Sequence, residues 1–471
     1  MNEQDLQSTI GDSNIFHPDF MGGSVDSAAS ATVTGLLNSY VPIFIVAFIV
    51  TILVTPFVRM LAVKGGVVDA PDQQRKLHKF PVAYLGGLAV MIGISAGLVY
   101  SYIMIADVPV EYDLVPFGVL LGMFAIGITG FMDDVWHWDP RLKIAGQLVA
   151  AAGLAISDVG VQVATTILWP ILGAQDTVLF TVMEYPLVSG EIYYWTGTFL
   201  IAVFVVGGCN AANLLDGLDG LLTGSTAIMA LGFLAISILM AVDDSLVTES
   251  STLSGARIVV CLALLGAVLG FLPYNFNPAA IFLGDCGSLL LGYMCVVIIL
   301  MFGETGQTHL VIAGLIIFSL PIMDTLLAII RRKLSGMSMS EADNGHIHHM
   351  MLRGLGTVKL AVFALYGLTL LFTLAGVTLA AIYLAGVIQG RFVYATFVVL
   401  FSFIVAIAIK TARRKQWDTI TSTEDPESES DSDSDSQLTP QLTARPAMTS
   451  ALEATALPAD PPVTKSDHAE A

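Results

Sequence analysis

Charge is what this sequence has least of. Only 13% of its 471 residues are Asp, Glu, Lys or Arg, and 55% are hydrophobic, which is more apolar sequence than a soluble domain needs to fill a core. Apolar runs of roughly 20 residues recur, each fitting a hydrocarbon layer ~30 Å thick. A soluble globular enzyme is excluded, and the fold expected is all-α, a polytopic integral membrane protein. Lys and Arg are absent from Met1 to Ser39, so the basic n-region of a cleavable signal peptide is missing. Segment 1–38 reads as a polar extracytoplasmic start, and the first span as an uncleaved anchor. Cysteine is also scarce: Cys209, Cys261, Cys286 and Cys295 sit in or beside apolar runs with no CxxC pattern, which excludes a disulfide framework.

The formal net charge of -19 owes much to the ends. Asp418, Glu424, Asp425, Glu427, Glu429, Asp431, Asp433 and Asp435 lie in a Ser- and Thr-rich stretch with Pro and few aromatics, so 411–471 is expected to be a disordered acidic cytoplasmic tail. No nucleic-acid partner is expected; the lipid bilayer is.

Between these ends, 39–410 reads as one transmembrane domain of eleven spans, near 40–63, 84–104, 115–132, 144–156, 193–210, 221–242, 257–273, 286–302, 309–330, 358–386 and 392–410. The short 144–156 run is the weakest. Placing the 64–83 loop in the cytoplasm puts Lys64, Arg75, Lys76, Lys79, Arg141, Lys143, Arg331, Arg332, Lys333, Arg353, Lys359, Lys410, Arg413, Arg414 and Lys415 near that face. Only Arg257 and Arg391 fall near the other. The expected topology is N-terminus outside and C-terminus inside.

Cations alone set this orientation, yet it also gathers the polar clusters on the cytoplasmic face. Asp133-Asp134 ends one apolar run; adjacent acids repel, so a cation or metal nearby is expected, although Trp136 and Trp138 also suit a plain interfacial helix end. Asn210, Asn213 and Asp216 share a helical face, and Asp219 follows, with Gly217 and Gly220 permitting close backbone approach. This set could receive a metal, a ribose or a sugar. Asn275, Asn277, Phe282 and the glycine-flanked Asp285 lie between two spans. Asp285 could cap a helix, but few carboxylates plus substrate phosphates are also how Mg2+ is usually held. His346, His348 and His349 follow a basic run and read as phosphate contacts rather than a zinc site. One face thus offers carboxylates for a divalent metal, cations for phosphates and an aromatic with Asn partners for a base. That inventory fits phosphoryl transfer from an activated nucleotide to a lipid.

In order and spacing, these motifs resemble the polyprenyl-phosphate N-acetylhexosamine-1-phosphate transferases. The resemblance rests on Arg75 to Gly87, Asp133-Asp134, Asn213-Leu-Leu-Asp216-Gly-Leu-Asp219-Gly, Phe282-Leu-Gly-Asp285-Cys-Gly-Ser288 and His346-Ile-His348-His349, and it covers about 40 to 410. The His-Ile-His-His order looks like the undecaprenyl-phosphate GlcNAc-1-phosphate branch that starts O-antigen and other envelope polysaccharides. Tyr84 departs from the basic residue many members carry before the Gly pair.

The resemblance implies a bacterial plasma-membrane enzyme that moves HexNAc-1-phosphate, most simply GlcNAc-1-phosphate, from its UDP-sugar to undecaprenyl phosphate and releases UMP. It implies Mg2+, with Mn2+ as a substitute, and leaves a homodimer open. Asp285, with Asp216, would hold the metal. Phe282 would stack on uracil near Lys79 and Asp219, and Asn213, Asp216 and Asn275 would line the nucleotide pocket. Asp133 and Asp134 would handle the lipid phosphate, with Lys143, His346, His348 and His349 on the pyrophosphate. Direct attack by the lipid phosphate is the expected mechanism, because a phosphate monoester with a second pKa of about 6 is mostly dianionic at neutral pH. A covalent phospho-Asp route is the alternative.

Three rival readings remain. The phospho-MurNAc-pentapeptide transferases are near kin but carry three consecutive His. A CDP-alcohol phosphatidyltransferase needs Ala-Arg after its Asp-Gly, where this chain has Leu221-Leu222-Thr223-Gly224. An ion-coupled transporter predicts polar groups at mid-membrane on several spans. Only Asp324 fits that position, with Arg331 or Arg332 as a conceivable partner, and it receives no role.

Overall fold

The computed structural model describes residues 33–69, 81–104, 114–174, 178–182, 185–243, 253–304, 306–334 and 345–423. The basic loop with Lys79, the polar start before residue 33 and the chain after residue 423 lie outside the described residues. The chain divides into two compact units, Met1–Gln416 and Trp417–Ala471, and the helices that build the site all belong to the first.

The protein is an all-α polytopic membrane protein. Nine described helices are long and apolar enough to cross a membrane: α1 (Val33–Lys64), α2 (Gly86–Ile103), α3 (Phe117–Trp136), α6 (Ser189–Leu215), α7 (Leu221–Val242), α8 (Ser254–Asn275), α9 (Gly284–Met301), α13 (Val358–Leu384) and α14 (Gly390–Thr423), the last through its Gly390–Ile407 portion. The run expected as one span over 309–330 is two helices, α10 (Thr308–Ile317) and α11 (Ser319–Leu334), bent by 75°; counted as one broken span they make ten. Pro321 explains the break, because it has no N–H to return to the Ile317 carbonyl and its ring crowds that turn.

An eleventh span is not confirmed. The 144–156 run belongs to α4 (Pro140–Ile156), whose 17 residues reach only about 26 Å. Its start is readable in the sequence: Asp139 caps it, accepting from the Arg141 N–H at 2.8 Å, with Pro140 in the first turn. Short helices α5 (Gln162–Leu172) and α12 (Ile347–Leu355) complete the helical set. Two antiparallel ribbons are the strands among the described residues, β1 (Val68–Asp69) with β2 (Val82–Ala83) and β3 (Val178–Val182) with β4 (Tyr185–Val188).

Helices α8 and α9 are apolar all round and correspondingly buried all round. Within a membrane, close backbone approach replaces the hydrophobic drive between helices. Glycine supplies it here. A Cβ on Gly87 of α2 would lie 2.0 Å from the Gly287 nitrogen of α9, and one on Gly130 of α3 would lie 2.4 Å from the Cys286 Cα. These contacts press α2 and α3 against the first turn of α9, where Asp285 sits.

Candidate active site at one end of the helix bundle

Four helices bring their polar residues to one point. Lys143, in the first turn of α4, places its Nζ 2.7 Å from Asp133 Oδ2 at the end of α3 and 2.5 Å from Asp285 Oδ2 at the start of α9. Asn213, near the end of α6, donates from Nδ2 to Asp285 Oδ1 and to Ser288 Oγ, both at 2.9 Å. Burial alone would lower the Lys143 pKa, but the two carboxylates outweigh it and raise it, so the ammonium stays charged.

Asp134 has a different employment from its neighbour. Its Oδ1 accepts from the Asp285 N–H at 2.7 Å and its Oδ2 from the Cys286 N–H at 3.0 Å. A helix begins with four N–H groups that lack intrahelical partners, and an anion there also meets the positive end of the dipole. Asp134 therefore caps α9 from another helix. Gly284 makes room for it: its φ is +71°, and a Cβ there would lie 2.6 Å from Asp134 Oδ2.

The segment before α2 is stapled to the segment before α9. Phe282 N–H donates to the Ala83 carbonyl at 2.8 Å, Gly86 N–H to the Phe282 carbonyl at 2.9 Å and Gly87 N–H to the Leu283 carbonyl at 2.7 Å. This sets Tyr84 edge-on to Phe282, with ring centroids 5.8 Å apart. Burial, followed by the charges of Asp69, Asp134, Asp216 and Asp285, pushes the Tyr84 phenol well up. It stays protonated beside the acids.

Asp216 follows the end of α6. Burial first, then Asp285, Asp134 and Asp219, raise it to about 8. Asp219 accepts from Asn277 Nδ2 at 2.9 Å and the Ala279 N–H at 3.1 Å, so it shapes the loop leading to Phe282. Asn275 is buried and internally satisfied: it accepts from Thr223 Oγ1 at 2.8 Å and donates to the Ile281 carbonyl at 3.1 Å. Its side chain holds the 275–281 loop closed. Asn210, the other member of that helical face, donates to Gln147 Oε1 on α4 at 2.9 Å, one turn deeper in the bundle.

The histidines open α12. His346 and His348 are buried, with rings stacked at 5.5 Å, and the His349 ring lies 4.3 Å from that of His348. His348 reaches the Asp216 loop, because a Cβ on Gly217 would lie 2.1 Å from its Nε2. Burial lowers His348 to about 4 against the pull of Asp324, so its ring is neutral at pH 7. Asp324 was visible in the sequence as an acid inside an apolar run, but its partners were not. It meets His346 and the start of α12 rather than acting alone in a span.

Asp133, Asp134, Lys143, Asn213 and Asp285 are thus in direct contact, with Asp216, Tyr84 and Phe282 around them and His348 against the Asp216 loop. Lys79 lies outside the described residues. Among the described residues, no three His, Cys, Asp or Glu side chains close on one point as a complete metal cage. Mg2+ does not require one: it is commonly held by one or two carboxylates plus waters and phosphates. Asp285 and Asp216 supply hard oxygen donors, and the Asp133 and Asp285 carboxylates already hold one cation there, the Lys143 ammonium. The residues present fit the ion.

Comparison with known proteins gives a consistent picture. The model of the family described as glycosyl transferase family 4 matches residues 116–303. The chain is 31% identical over 340 residues to a probable undecaprenyl-phosphate N-acetylglucosaminyl 1-phosphate transferase of Bacillus subtilis, covering 71% of this chain and 84% of that protein. It is 32% identical over 371 residues to a decaprenyl-phosphate N-acetylglucosaminephosphotransferase of Mycolicibacterium smegmatis, covering 74% and 84%. It is 30% identical over 343 residues to an undecaprenyl-phosphate alpha-N-acetylglucosaminyl 1-phosphate transferase of Escherichia coli, covering 71% and 80%.

Proposed function

The chain belongs to the polyprenyl-phosphate N-acetylhexosamine-1-phosphate transferases of glycosyl transferase family 4, and on that premise we propose how its own residues perform the transfer. The reaction passes GlcNAc-1-phosphate from a nucleotide-sugar donor to a polyprenyl phosphate. The donor is UDP-GlcNAc and the acceptor undecaprenyl phosphate, and the enzyme works at the cytoplasmic face of the plasma membrane. The cation asymmetry of the loops supports that orientation.

The observation that carries this reading is the Lys143 bridge between Asp133 and Asp285, at 2.7 and 2.5 Å, formed by helices distant in sequence. An ammonium between two carboxylates marks the place where the phosphates' negative charge has to be neutralised. Asp285 and Asp216 would hold Mg2+, which supplies charge neutralisation on the donor pyrophosphate when bound. Lys143 exchanges a carboxylate for a phosphate oxygen when substrate arrives. Asp133, whose Oδ2 meets the Lys143 ammonium at 2.7 Å, takes the residual proton from the lipid phosphate. Asp134 is occupied by two backbone N–H groups and orients Asp285. Phe282 presents an aromatic face to uracil, with its ring fixed by Tyr84. The acceptor phosphate attacks the β-phosphorus directly and UMP leaves.

The test is purified protein with Mg2+, undecaprenyl phosphate and a panel of UDP-sugars. UMP release is expected with UDP-GlcNAc and only with lipid present. Release with none of the sugars overturns the assignment, and a sugar-phosphate trapped on Asp133 without lipid overturns direct attack.

A further inference from the structure

One buried carboxylate has no part in the scheme above. Asp324 lies on α11 and is fully buried, at 0% exposure. Its Oδ1 accepts from the Ile347 N–H at 2.7 Å, and its Oδ2 lies 3.0 Å from His346 Nδ1 and 3.9 Å from His348 Nδ1. One carboxylate therefore meets the backbone at the start of α12 and two of the three histidines. An acid removed from water this completely is destabilising unless its partners compensate.

The rest of α11 is arranged to the same end. Its buried residues, Ser319, Leu320, Pro321, Asp324, Leu327, Ala328 and Arg331, fall at helical spacing on one stripe. Arg331, seven residues on, meets the same segment: a Cβ on Gly345 would lie 2.3 Å from its Cζ. Asp324 and Arg331 bracket residues 345–348 at two points. The opposite side of that segment faces the transfer site through His348 and Gly217.

We propose that Asp324 is a positioning residue for the transfer, acting through His346 and His348; this rests on the transferase reading. A carboxylate accepts and does not donate, so the His346 proton is held on Nδ1 and Nε2 is the nitrogen left for substrate. The Ile347 contact fixes where α12 begins, and with it the distance of the His348 ring from the Asp216–Gly217 loop. Carboxylates that orient a ligating histidine from behind change affinity or activity by about 10–100-fold when removed. Asp324 touches no reacting atom, so the effect is expected in kcat through histidine placement.

The experiment uses the full chain in lipid nanodiscs, with Asp324→Asn made in the wild-type and His346→Gln backgrounds. UMP release gives kcat and the donor KM, and thermal unfolding gives Tm. Asp324→Asn is expected to lower kcat about 10–100-fold with donor KM within about threefold. In the His346→Gln background it should cost clearly less than in the wild type, the remainder being carried through His348. Full additivity of the two, or wild-type kcat with only a lowered Tm, overturns the proposal. Should His346→Gln leave no measurable turnover, solid-state spectra of 15N-histidine protein decide independently. His346 is expected as the Nδ1–H tautomer, lost in Asp324→Asn; an unchanged tautomer overturns the proposal. Failure of the transferase reading itself would appear separately, as wild-type protein releasing no UMP.

Discussion

Asp134→Asn separates a positioning role from a chemical one. In the wild type, both carboxylate oxygens are used, one on the Asp285 N–H at 2.7 Å and one on the Cys286 N–H at 3.0 Å. The amide keeps one oxygen, so one of these N–H groups loses its acceptor and faces an NH2 group instead. Leaving a buried donor unpaired costs about 1–3 kcal/mol. Losing the negative charge at the helix N-terminus adds about 0.3–1 kcal/mol. A total of about 1.3–4 kcal/mol falls on the turn that aims Asp285. If the transition state feels all of it, kcat drops roughly 10- to 700-fold at about 1.4 kcal/mol per tenfold.

The assay is UMP release at saturating donor and lipid, repeated across Mg2+ concentrations. A displaced Asp285 is expected to raise the Mg2+ needed for half activation along with lowering kcat, while Asp133→Asn leaves the backbone of α9 in place. Refutation is clear in two ways. A kcat within about threefold of wild type in Asp134→Asn would mean that α9 is held without the cap. A fall in kcat with an unchanged Mg2+ requirement and a shifted acid limb of the pH profile would make Asp134 the proton acceptor.

Two further outcomes follow from the same geometry. Gly284→Ala forces a side chain into φ +71° and 2.6 Å from Asp134 Oδ2, so activity should fall at least as far as in Asp134→Asn, with Tm lowered; near-normal activity and Tm would show that the cap adapts. Asp216, raised to about 8, carries a proton below that pH that a metal ion has to displace. The Mg2+ concentration for half activation should therefore rise as pH falls below about 8, by up to about tenfold per unit, and level off above it; a flat dependence would remove Asp216 from the metal site.

The sequence by itself determined the class, the family and the cast of residues. Scarce charge and long apolar runs require a helical membrane protein, because backbone polar groups have no other partner in lipid. Motif order supplied Asp133, Lys143, Asn213 and Asp285 before any of them could be seen to touch. Tertiary structure alone decided which of them meet. Asp133 and Asp134 are adjacent and identical in chemistry, yet helical geometry turns one toward Lys143 and the other toward the first turn of α9. Asn275, expected to line the nucleotide pocket, also ties its own loop, through hydrogen bonds with Thr223 and Ile281 that no spacing announced. Asp324 looked like a stray acid in a span. Its histidine partner lies 22 residues away, past the end of α11, and no sequence period encodes that pairing. Local spacing fixes which face a side chain shares, whereas the partner across the bundle depends on how helices cross, and here glycine contacts set those crossings.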